Sequence, residues 1–283
     1  MKIMVCIKQI RHIYARTGMD PARHFLAPED EIVRVNPYDE AAVEWALRIK
    51  AFLGAGDISL LTLGPIIADA ELRRCLSMGA DRLFHVDKAD KMDPWCKASA
   101  LAQAAKKIKA DIVLCGKESL DNQNGQVGAF MAHHLKMPFV SAITRITVAG
   151  DLQSAKLHRI AGRGKREIVS CPLPAVFSVE IGSVQPRLPT YQNKQWARSQ
   201  PIRLLNVEND TSRPRVIVEG DFPPRPRPKK VRTPDSGLNA RDRIQQLLEG
   251  SRREANGLRL TGSPESQVEG IISFLSENGF IKT

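Results

Sequence analysis

The sequence predicts an α/β protein in which a doubly wound, mostly parallel sheet carries an added β-hairpin region and an extended C-terminal arm. Four short apolar runs in residues 1–116 are typical of strands that are buried on both faces. Helical segments separate these runs, which indicates right-handed crossovers between parallel strands. From Phe139 onward, strands follow one another with short turns between them, as in antiparallel hairpins.

Each element predicted in the first half has its own local signal. The strands are predicted at 3–7, 58–63, 83–86 and 112–115. The first helix opens at 36–40, where Asp39 and Glu40 occupy the first turn and suit the helix dipole. Further helices are predicted at 68–78, 94–109 and 125–135. The stretch 9–35 is polar and irregular, and no element is predicted there.

In the second half of the chain, the sequence predicts strands first and helices only near the end. Strands are expected at 142–148, 152–160, 166–170 and 175–180, with a turn at 162–164. Residues 182–201 form a Pro-, Gln- and Arg-rich arm, and the run 223–228 favours extended polyproline geometry. A short helix is predicted at 240–248. A final helix has Ser263 as its N-cap, Pro264 at its first position and Gly279 as its stop.

Composition excludes several classes of protein. The chain has 283 residues, 42% of them hydrophobic, and no apolar run long enough for a membrane span. Its start predicts a first strand rather than a signal peptide, so we expect a cytoplasmic protein. The net charge of +11 suggests nucleic acid, but the basic runs lack interleaved aromatic residues, and no nucleic-acid partner is expected. Five scattered cysteines without a C-x-x-C pattern argue against a disulfide framework or zinc site.

The loop after the fourth strand is a candidate phosphate site. Ligands of such sheets bind beyond the carboxyl ends of the strands, and residues 116–128 follow such an end. This loop is polar and runs into a helix N-terminus, where free N–H groups can cradle a phosphate. It is neither a Walker A nor a G-x-G-x-x-G loop. From spacing alone, an ordinary capped polar loop is an equally good interpretation.

The ordered motifs of the chain resemble those of the beta subunit of electron-transfer flavoproteins. No single motif is specific, but their order and spacing over most of residues 1–205 and the tail are. The matching segments are Val5-Cys6-Ile7-Lys8-Gln9, Val35 through Glu44, Leu63-Gly64-Pro65, Met78 through Arg82, Gly116-Lys117 through Gly128, Leu173 through Val176, Pro186-Arg187, and about 257–281.

The resemblance implies a heterodimer with an alpha subunit that holds most of the site for the redox FAD. The beta chain would hold a second nucleotide, AMP in one branch of the family and FAD in electron-bifurcating members. It would be a redox carrier rather than an enzyme, with no catalytic residues. Electrons would pass from a flavin dehydrogenase, such as an acyl-CoA dehydrogenase, to a membrane quinone reductase.

The resemblance also implies roles for individual residues of a Rossmann-like, adenine-nucleotide-binding fold. Cys6, Asn36 and Leu63 match positions around the adenosine, and Tyr38 matches an aromatic position near the flavin of the alpha subunit. Tyr38 can equally be a structural residue at the helix start. The remaining cofactor-binding candidates are Gly116, Lys117, Asp121, Gly125, Gln126, Val127 and Gly128.

Three departures from the family pattern affect these expectations. Gly125 and Val127 leave room for a longer dinucleotide, which favours FAD slightly over AMP. In the partner-docking segment, Tyr191 stands where the family has an apolar anchor, and Asn193 and Trp196 follow it, so the usual dehydrogenase partner is in question. The basic insertion at 207–255 is either a surface that grips a partner or a passive addition.

We therefore divide the chain into four segments and retain three alternatives. A nucleotide-binding domain spans 1–181, a partner-docking loop and arm 182–206, the insertion 207–255 and a C-terminal strand and helix 256–283. The alternatives are an electron-bifurcating, NADH-linked member of the family, an adenine-nucleotide-hydrolysing α/β enzyme and a nucleic-acid-binding module. The hydrolase would need a Gly- and Ser-containing loop after the first strand, where Lys8, Gln9 and Ile10 stand instead.

Overall fold

A computed structural model of the chain describes residues 1–13, 31–88, 92–208, 214–216, 237–248, 260–277 and 280–281. The chain divides into two compact units, Met1–Phe222 and Pro223–Thr283. The larger unit contains a nine-stranded sheet and a separate two-stranded sheet.

The strands and helices follow in the order that the first-half pattern predicts, with additions. The strands are β1 Lys2–Cys6, β2 Gln9–Ile13, β3 Glu31–Val35, β4 Asp57–Leu63, β5 Arg82–Val86, β6 Ile112–Gly116, β7 Phe139–Val148, β8 Ser154–Gly162, β9 Lys165–Pro172, β10 Ala175–Val179 and β11 Ile202–Leu204. The helices are α1 Pro37–Leu53, α2 Asp69–Ser77, α3 Pro94–Ile108, α4 Val127–Leu135, α5 Tyr191–Ser199, α6 Ala240–Leu248 and α7 Pro264–Glu277.

The large sheet confirms the predicted α/β class. Its strand order is β11-β5-β4-β1-β6-β10-β7-β8-β9, and all pairs from β11 to β7 are parallel. β7, β8 and β9 extend it as an antiparallel meander, which is the expected hairpin region. After β1 the chain builds the sheet outward through β4 and β5, then returns to the other side of β1 with β6. The order therefore reverses between β1 and β6, which creates a topological switch point.

The alternating residues of β1 enter two separate cores. Ile3 and Val5 pack in a cluster that includes residues of α1 and α2, whereas Met4 packs with residues of α3 and α4. All three side chains are almost fully buried. A strand that is covered on both faces reads as a continuous apolar run, which is why β1 could be predicted from the sequence.

Four elements of the larger unit were not predicted. β2 and β3 form an antiparallel pair within the stretch expected to be irregular, with Gln9 opposite Val35. The arm contains α5, which Thr190 caps by accepting a hydrogen bond from the N–H of Asn193 at 3.2 Å. β11 then pairs with β5 at the edge of the sheet, so 202–204 belong to the main fold rather than to a free arm.

The smaller unit contains two helices that begin as predicted. Asn239 accepts from the N–H of Asp242 at 2.9 Å before α6, and Ser263 accepts from the N–H of Ser266 at 3.3 Å before α7. The polyproline run 223–228, the C-terminal strand expected near 257 and the stop at Gly279 lie outside the described residues. None of the helices in the described ranges combines the length and hydrophobicity that crossing a bilayer requires.

Candidate functional site

A cleft of about 200 Å³ opens at the switch point between β1 and β6. Its floor is formed by the carboxyl ends of β1, β4 and β6, and its walls by the loop before α4, by α4 itself and by the start of α3. The lining residues are Cys6, Ile7, Lys8, Gln9, Asn36, Asp39, Leu61, Thr62, Leu63, Pro65, Ile67, Met92, Pro94, Lys97, Leu101, Cys115, Gly116, Lys117, Glu118, Ser119, Asn122, Asn124, Gly125, Gln126, Val127 and Gly128.

A buried carboxylate holds the floor of the cleft together. Asp39, in the first turn of α1, accepts the N–H of Lys8 at 2.8 Å through one oxygen and the N–H of Gly116 at 2.8 Å through the other. These N–H groups follow β1 and end β6, so one side chain joins the two strands at the switch point. Burial raises the pKa of Asp39 from 3.8 to about 7, against the opposing effect of the backbone hydrogen bonds.

The same helix start requires a glycine at the end of β6. A Cβ on Gly116 would overlap Asp39 Oδ1 and would lie 2.6 Å from the Cβ of Tyr38. The strand end and the first turn of α1 therefore approach each other more closely than any side chain permits. Gly116 thus sets the geometry of the floor.

Two side chains fix the loop before α4. Asn36 donates from Nδ2 to the carbonyl of Glu118 at 2.9 Å, and Lys8 Nζ bonds both carboxylate oxygens of Asp121 at 2.7 and 2.8 Å. Burial favours the neutral form of Asp121, but the hydrogen bonds from Lys8, Ser119 and the N–H of Asn122 together outweigh it and lower the pKa of this carboxyl. The loop is therefore anchored to the residues that follow β1 and precede α1.

The loop ends at a helix start that faces the cleft. Gly125 has a φ of +60°, a conformation that favours glycine. The first intrahelical bond of α4 joins the N–H of Phe130 to the carbonyl of Gln126 at 3.1 Å. The N–H groups of 127–129 consequently have no acceptor within the helix. Gly128 permits a close approach, since a Cβ there would lie 2.9 Å from Cys115 Sγ. Such a helix start favours a negatively charged group.

Lysine side chains add positive charge around this helix start. Lys8, Lys97 and Lys117 line the cleft, and the Nζ of Lys117 lies 3.0 Å from Glu180 Oε2. Lys8 is paired with Asp121 at the rim. The cleft therefore combines cationic side chains with backbone N–H donors, which is the chemistry that binds phosphate.

The structure brings most of the candidate cofactor-binding residues to one cleft. The predicted residues that line it are Cys6, Asn36, Leu63, Gly116, Lys117, Gly125, Gln126, Val127 and Gly128. Tyr38 and Asp121 are not lining residues. Asp121 is engaged with Lys8, and the Tyr38 hydroxyl donates to Glu118 Oε1 at 2.9 Å. Burial, with Glu118 as a further cause, raises the pKa of Tyr38 to about 12.

The candidate docking residues Tyr191, Asn193 and Trp196 lie in α5. Tyr191 is 75% exposed and Trp196 40%, and Leu188 just before the helix is 91% exposed. Asn193 is half-buried in the first turn and bonds to Thr190 through its N–H. Trp196 and Tyr191 therefore present large aromatic side chains to solvent.

Sequence reasoning missed three residues that shape the cleft. It placed Asp39 only at a helix start, and it assigned Lys8 and Gln9 no role. Gln9 Oε1 accepts the N–H groups of Ile67 and Ala68 at 2.8 and 2.9 Å and thereby positions the loop after β4. The sequence offered one indication of these roles, which is that Lys8 and Gln9 follow a strand end. It could not indicate the partners, because these lie 31 to 113 positions away along the chain.

Possible metal ligands do not cluster among the described residues. Within the described ranges, His, Cys, Asp and Glu side chains form no group of three that could ligate a metal ion. The five cysteines are free thiols, and burial raises the pKa of Cys6 and Cys115 at the cleft.

The fold and the cleft define a doubly wound α/β protein whose switch-point cleft is lined by apolar side chains, three lysines and the start of α4. Comparison with known proteins specifies the family. The family described as "Electron transfer flavoprotein domain" matches residues 27–210. The chain belongs to this family, and its relatives are beta subunits.

Three relatives illustrate the similarity. The electron transfer flavoprotein subunit beta of Syntrophomonas wolfei is 30% identical over 79% of this chain and 86% of its own. The caffeyl-CoA reductase-Etf complex subunit CarD of Acetobacterium woodii is 32% identical over 74% of this chain and 79% of its own. The human electron transfer flavoprotein subunit beta is 29% identical over 82% of this chain and 93% of its own.

Proposed function

We propose that this chain is the beta subunit of a heterodimeric electron-transfer flavoprotein and that its cleft binds the adenylate part of a nucleotide. The observation that carries the proposal is the start of α4, whose N–H groups face a cation-lined cleft at the switch point. The alpha subunit would hold the redox FAD. The beta chain would then serve as a carrier subunit between an electron donor and an acceptor.

In this proposal, different parts of the nucleotide contact different walls of the cleft. The phosphate lies against the start of α4, at Gln126, Val127 and Gly128. Cys6 and Leu63 form the apolar side, where an adenine ring can pack. Asn36 also lines the cleft, and its amide donates to the carbonyl of Glu118. It therefore positions the loop that surrounds the ligand.

AMP and FAD remain the two candidates for the cleft nucleotide. The experiment is to express the chain together with its alpha subunit, purify the complex, extract the bound nucleotides and count FAD and AMP per heterodimer. One FAD and one AMP support a simple carrier, and two FAD support an electron-bifurcating member. A heterodimer without a second nucleotide contradicts the assignment of the cleft.

A substitution at the helix start tests the position of the phosphate. Val127→Trp places an indole at the first turn of α4 and should empty the cleft while leaving the FAD of the alpha subunit in place. Ile168→Trp is the matched control, since Ile168 is exposed on β9 at the far edge of the sheet. A Val127→Trp complex that retains stoichiometric nucleotide contradicts the placement.

Tyr38 and α5 are proposed as the two places where this chain meets other components. Tyr38 lies at the start of α1, beside the cleft, and would approach the flavin of the alpha subunit. Tyr191 and Trp196 would contact the electron donor, an acyl-CoA dehydrogenase or another flavin dehydrogenase. A quinone reductase would accept the electrons.

The exposed face of α5 can be tested without disturbing the cleft. Trp196→Ala and Tyr191→Ala together should slow reduction of the heterodimer by its donor dehydrogenase about tenfold or more, because aromatic anchors dominate interfaces. Phe52→Ala removes a side chain that is 69% exposed on α1 and serves as the control. Unchanged reduction kinetics in the double variant would locate donor docking elsewhere.

A further inference from the structure

The chain that follows β11 runs along α3 toward the cleft. We call residues 205–208 and 214–216 the strap. Near the C-terminal end of α3, Lys107 Nζ donates to the carbonyl of Asn206 at 2.6 Å. One turn earlier, Gln103 Oε1 accepts the N–H of Glu208 at 2.9 Å. Leu205 and Val207 pack on the hydrophobic cluster that contains the inner face of α3.

The strap reaches the N-terminal end of α3 at Asp93. One oxygen of this carboxylate caps the helix by accepting the N–H of Cys96 at 2.8 Å. The other oxygen accepts the N–H of Arg215 at 2.7 Å. Burial favours the neutral acid, but the hydrogen bonds from Cys96 and the strap outweigh it and lower the pKa of Asp93. A single carboxylate thus holds both the helix and the strap.

The side chain of Arg215 adds a second contact at the same place. Its guanidinium lies 3.5 Å from the ring centroid of Trp95, the second residue of α3. The indole packs in turn against Phe130 and His134 of α4, with ring centroids 5.3 and 4.3 Å away. The guanidinium, the indole and the rings of α4 therefore form one stack, which connects the strap to the start of α3 and to α4.

The same turn of α3 forms a wall of the cleft. Met92 and Pro94, on either side of Asp93, are lining residues, and so is Lys97 one turn further on. A neighbouring part of the wall is the start of α4, whose Phe130 belongs to the stack. Movement of the strap contact would consequently shift both walls at once.

We propose that the strap, through Arg215, positions the start of α3 for nucleotide binding in the cleft. Arg215 is a positioning residue that acts through Asp93 and Trp95 and does not touch the ligand. This inference rests on the proposed nucleotide site. Because binding linkage is reciprocal, a nucleotide in the cleft must also tighten the docking of the strap.

Affinity for AMP, measured by calorimetry on the purified heterodimer after removal of its bound cleft nucleotide, tests the proposal. An exposed cation–π contact has a modest strength, so Arg215→Ala should raise the dissociation constant about two- to fivefold. Arg215→Lys keeps a cation over the indole and should restore most of the affinity. Arg203→Ala, on the exposed part of β11, is the matched control and should bind as the unaltered protein does.

Limited trypsin digestion gives a readout of the strap itself. AMP should slow cleavage of the Arg215–Val216 bond in the unaltered heterodimer, and mass spectrometry identifies that fragment. Arg215→Lys keeps a trypsin site and should show the same protection. Cleavage at one rate with and without AMP contradicts the linkage.

The outcomes separate the two proposals. If the unaltered heterodimer binds neither AMP nor FAD in the cleft, the proposed function fails. If it binds AMP and Arg215→Ala binds it equally well, the nucleotide site stands and the strap has no positioning role.

Discussion

Two of the buried carboxylates of helix α1, Asp39 and Glu44, lie in successive turns and behave in opposite ways. Asp39 is 5% exposed and Glu44 is 3% exposed. The pKa of Asp39 is raised to about 7 by burial. Burial acts in the same direction on Glu44, but hydrogen bonds from Arg187 and Arg48 reverse the effect and lower its pKa.

The chemistry of the partners explains the difference. Asp39 accepts neutral backbone N–H groups, which do not compensate for the loss of water around a charge. Glu44 accepts from Arg187 Nε at 2.8 Å and Nη2 at 3.1 Å, and from Arg48 Nε at 3.0 Å. A bidentate guanidinium stabilises the ionised form. Burial alone therefore does not determine how a carboxylate titrates.

The two turns also organise different parts of the molecule. Asp39 joins β1 to β6 and so holds the floor of the cleft. Glu44, with Trp45 donating to Ser183 Oγ at 3.1 Å, fixes the segment that leads to α5. One helix thus supports both the cleft and the proposed docking surface.

The largest expected effect is a difference in how the two carboxylates change the free energy of unfolding with pH. Neutral Asp39 stabilises the fold below pH 3.8, and this contribution is lost as the pH rises through about 7, with a slope of up to about 1.4 kcal/mol per pH unit. The contribution of Glu44 is present above its ordinary pKa of 4.5 and is lost as the pH falls below it.

Urea unfolding at pH 2 to 8 checks this contrast. Asp39→Asn should flatten the decline in unfolding free energy between pH 4 and 7, whereas Glu44→Gln should reduce only the loss at acid pH. Comparison with the unaltered protein cancels the pH dependence that the two proteins share. An Asp39→Asn protein with an unchanged slope would show that Asp39 is ionised throughout.

The close approach at the cleft floor predicts the next effect. Gly116→Ala inserts a Cβ into Asp39 and Tyr38 and should lower the unfolding free energy by up to about 3 kcal/mol. Gly150→Ala is the control, because a Cβ at that turn meets nothing within 4 Å. Chemical denaturation of both variants provides the measurement, and equal stabilities would contradict the tight contact.

Removal of Glu44 should cost less. Glu44→Ala leaves Arg187 and Arg48 without their carboxylate, but both guanidinium groups are about half exposed and can be solvated. We expect about 2 kcal/mol rather than the 3–5 kcal/mol typical of a fully buried pair. Glu167→Ala, which breaks a surface pair with Arg159, should cost less than about 1 kcal/mol. Equal losses of thermal stability in the two variants would contradict the larger contribution expected of the buried Glu44.

The smallest expected effect on stability lies at the rim of the cleft. Lys8→Met and Asp121→Asn both remove the same partly exposed ion pair and should each cost less than about 1 kcal/mol. The two variants should differ in AMP affinity. Lys8→Met removes a cation from the cleft, whereas Asp121→Asn frees the ammonium group of Lys8 to approach the phosphate. Equal AMP affinities would show that Lys8 serves only to hold the loop.

The sequence predicted the parallel sheet because each central strand is buried on both faces and flanked by helices. It failed for β2 and β3, whose pairing links residues about twenty to thirty positions apart, and for α5, which lies in a Pro- and Arg-rich arm. It also missed β11, a three-residue strand that exists because β5 offers it an edge. Local patterns do not encode such pairings.

What the sequence determined by itself is the fold class, the family and the place of the cleft. The positions of the central strands and of the helix starts follow from local hydrophobicity and capping, and the order and spacing of the motifs indicate the family. Only the tertiary structure decided how the cleft is held. The contacts of Asp39 with Lys8 and Gly116, and of Arg215 with Asp93, join residues 31 to 122 positions apart. Such contacts depend on which strand ends and helix starts meet in space, and that is a property of the assembled sheet.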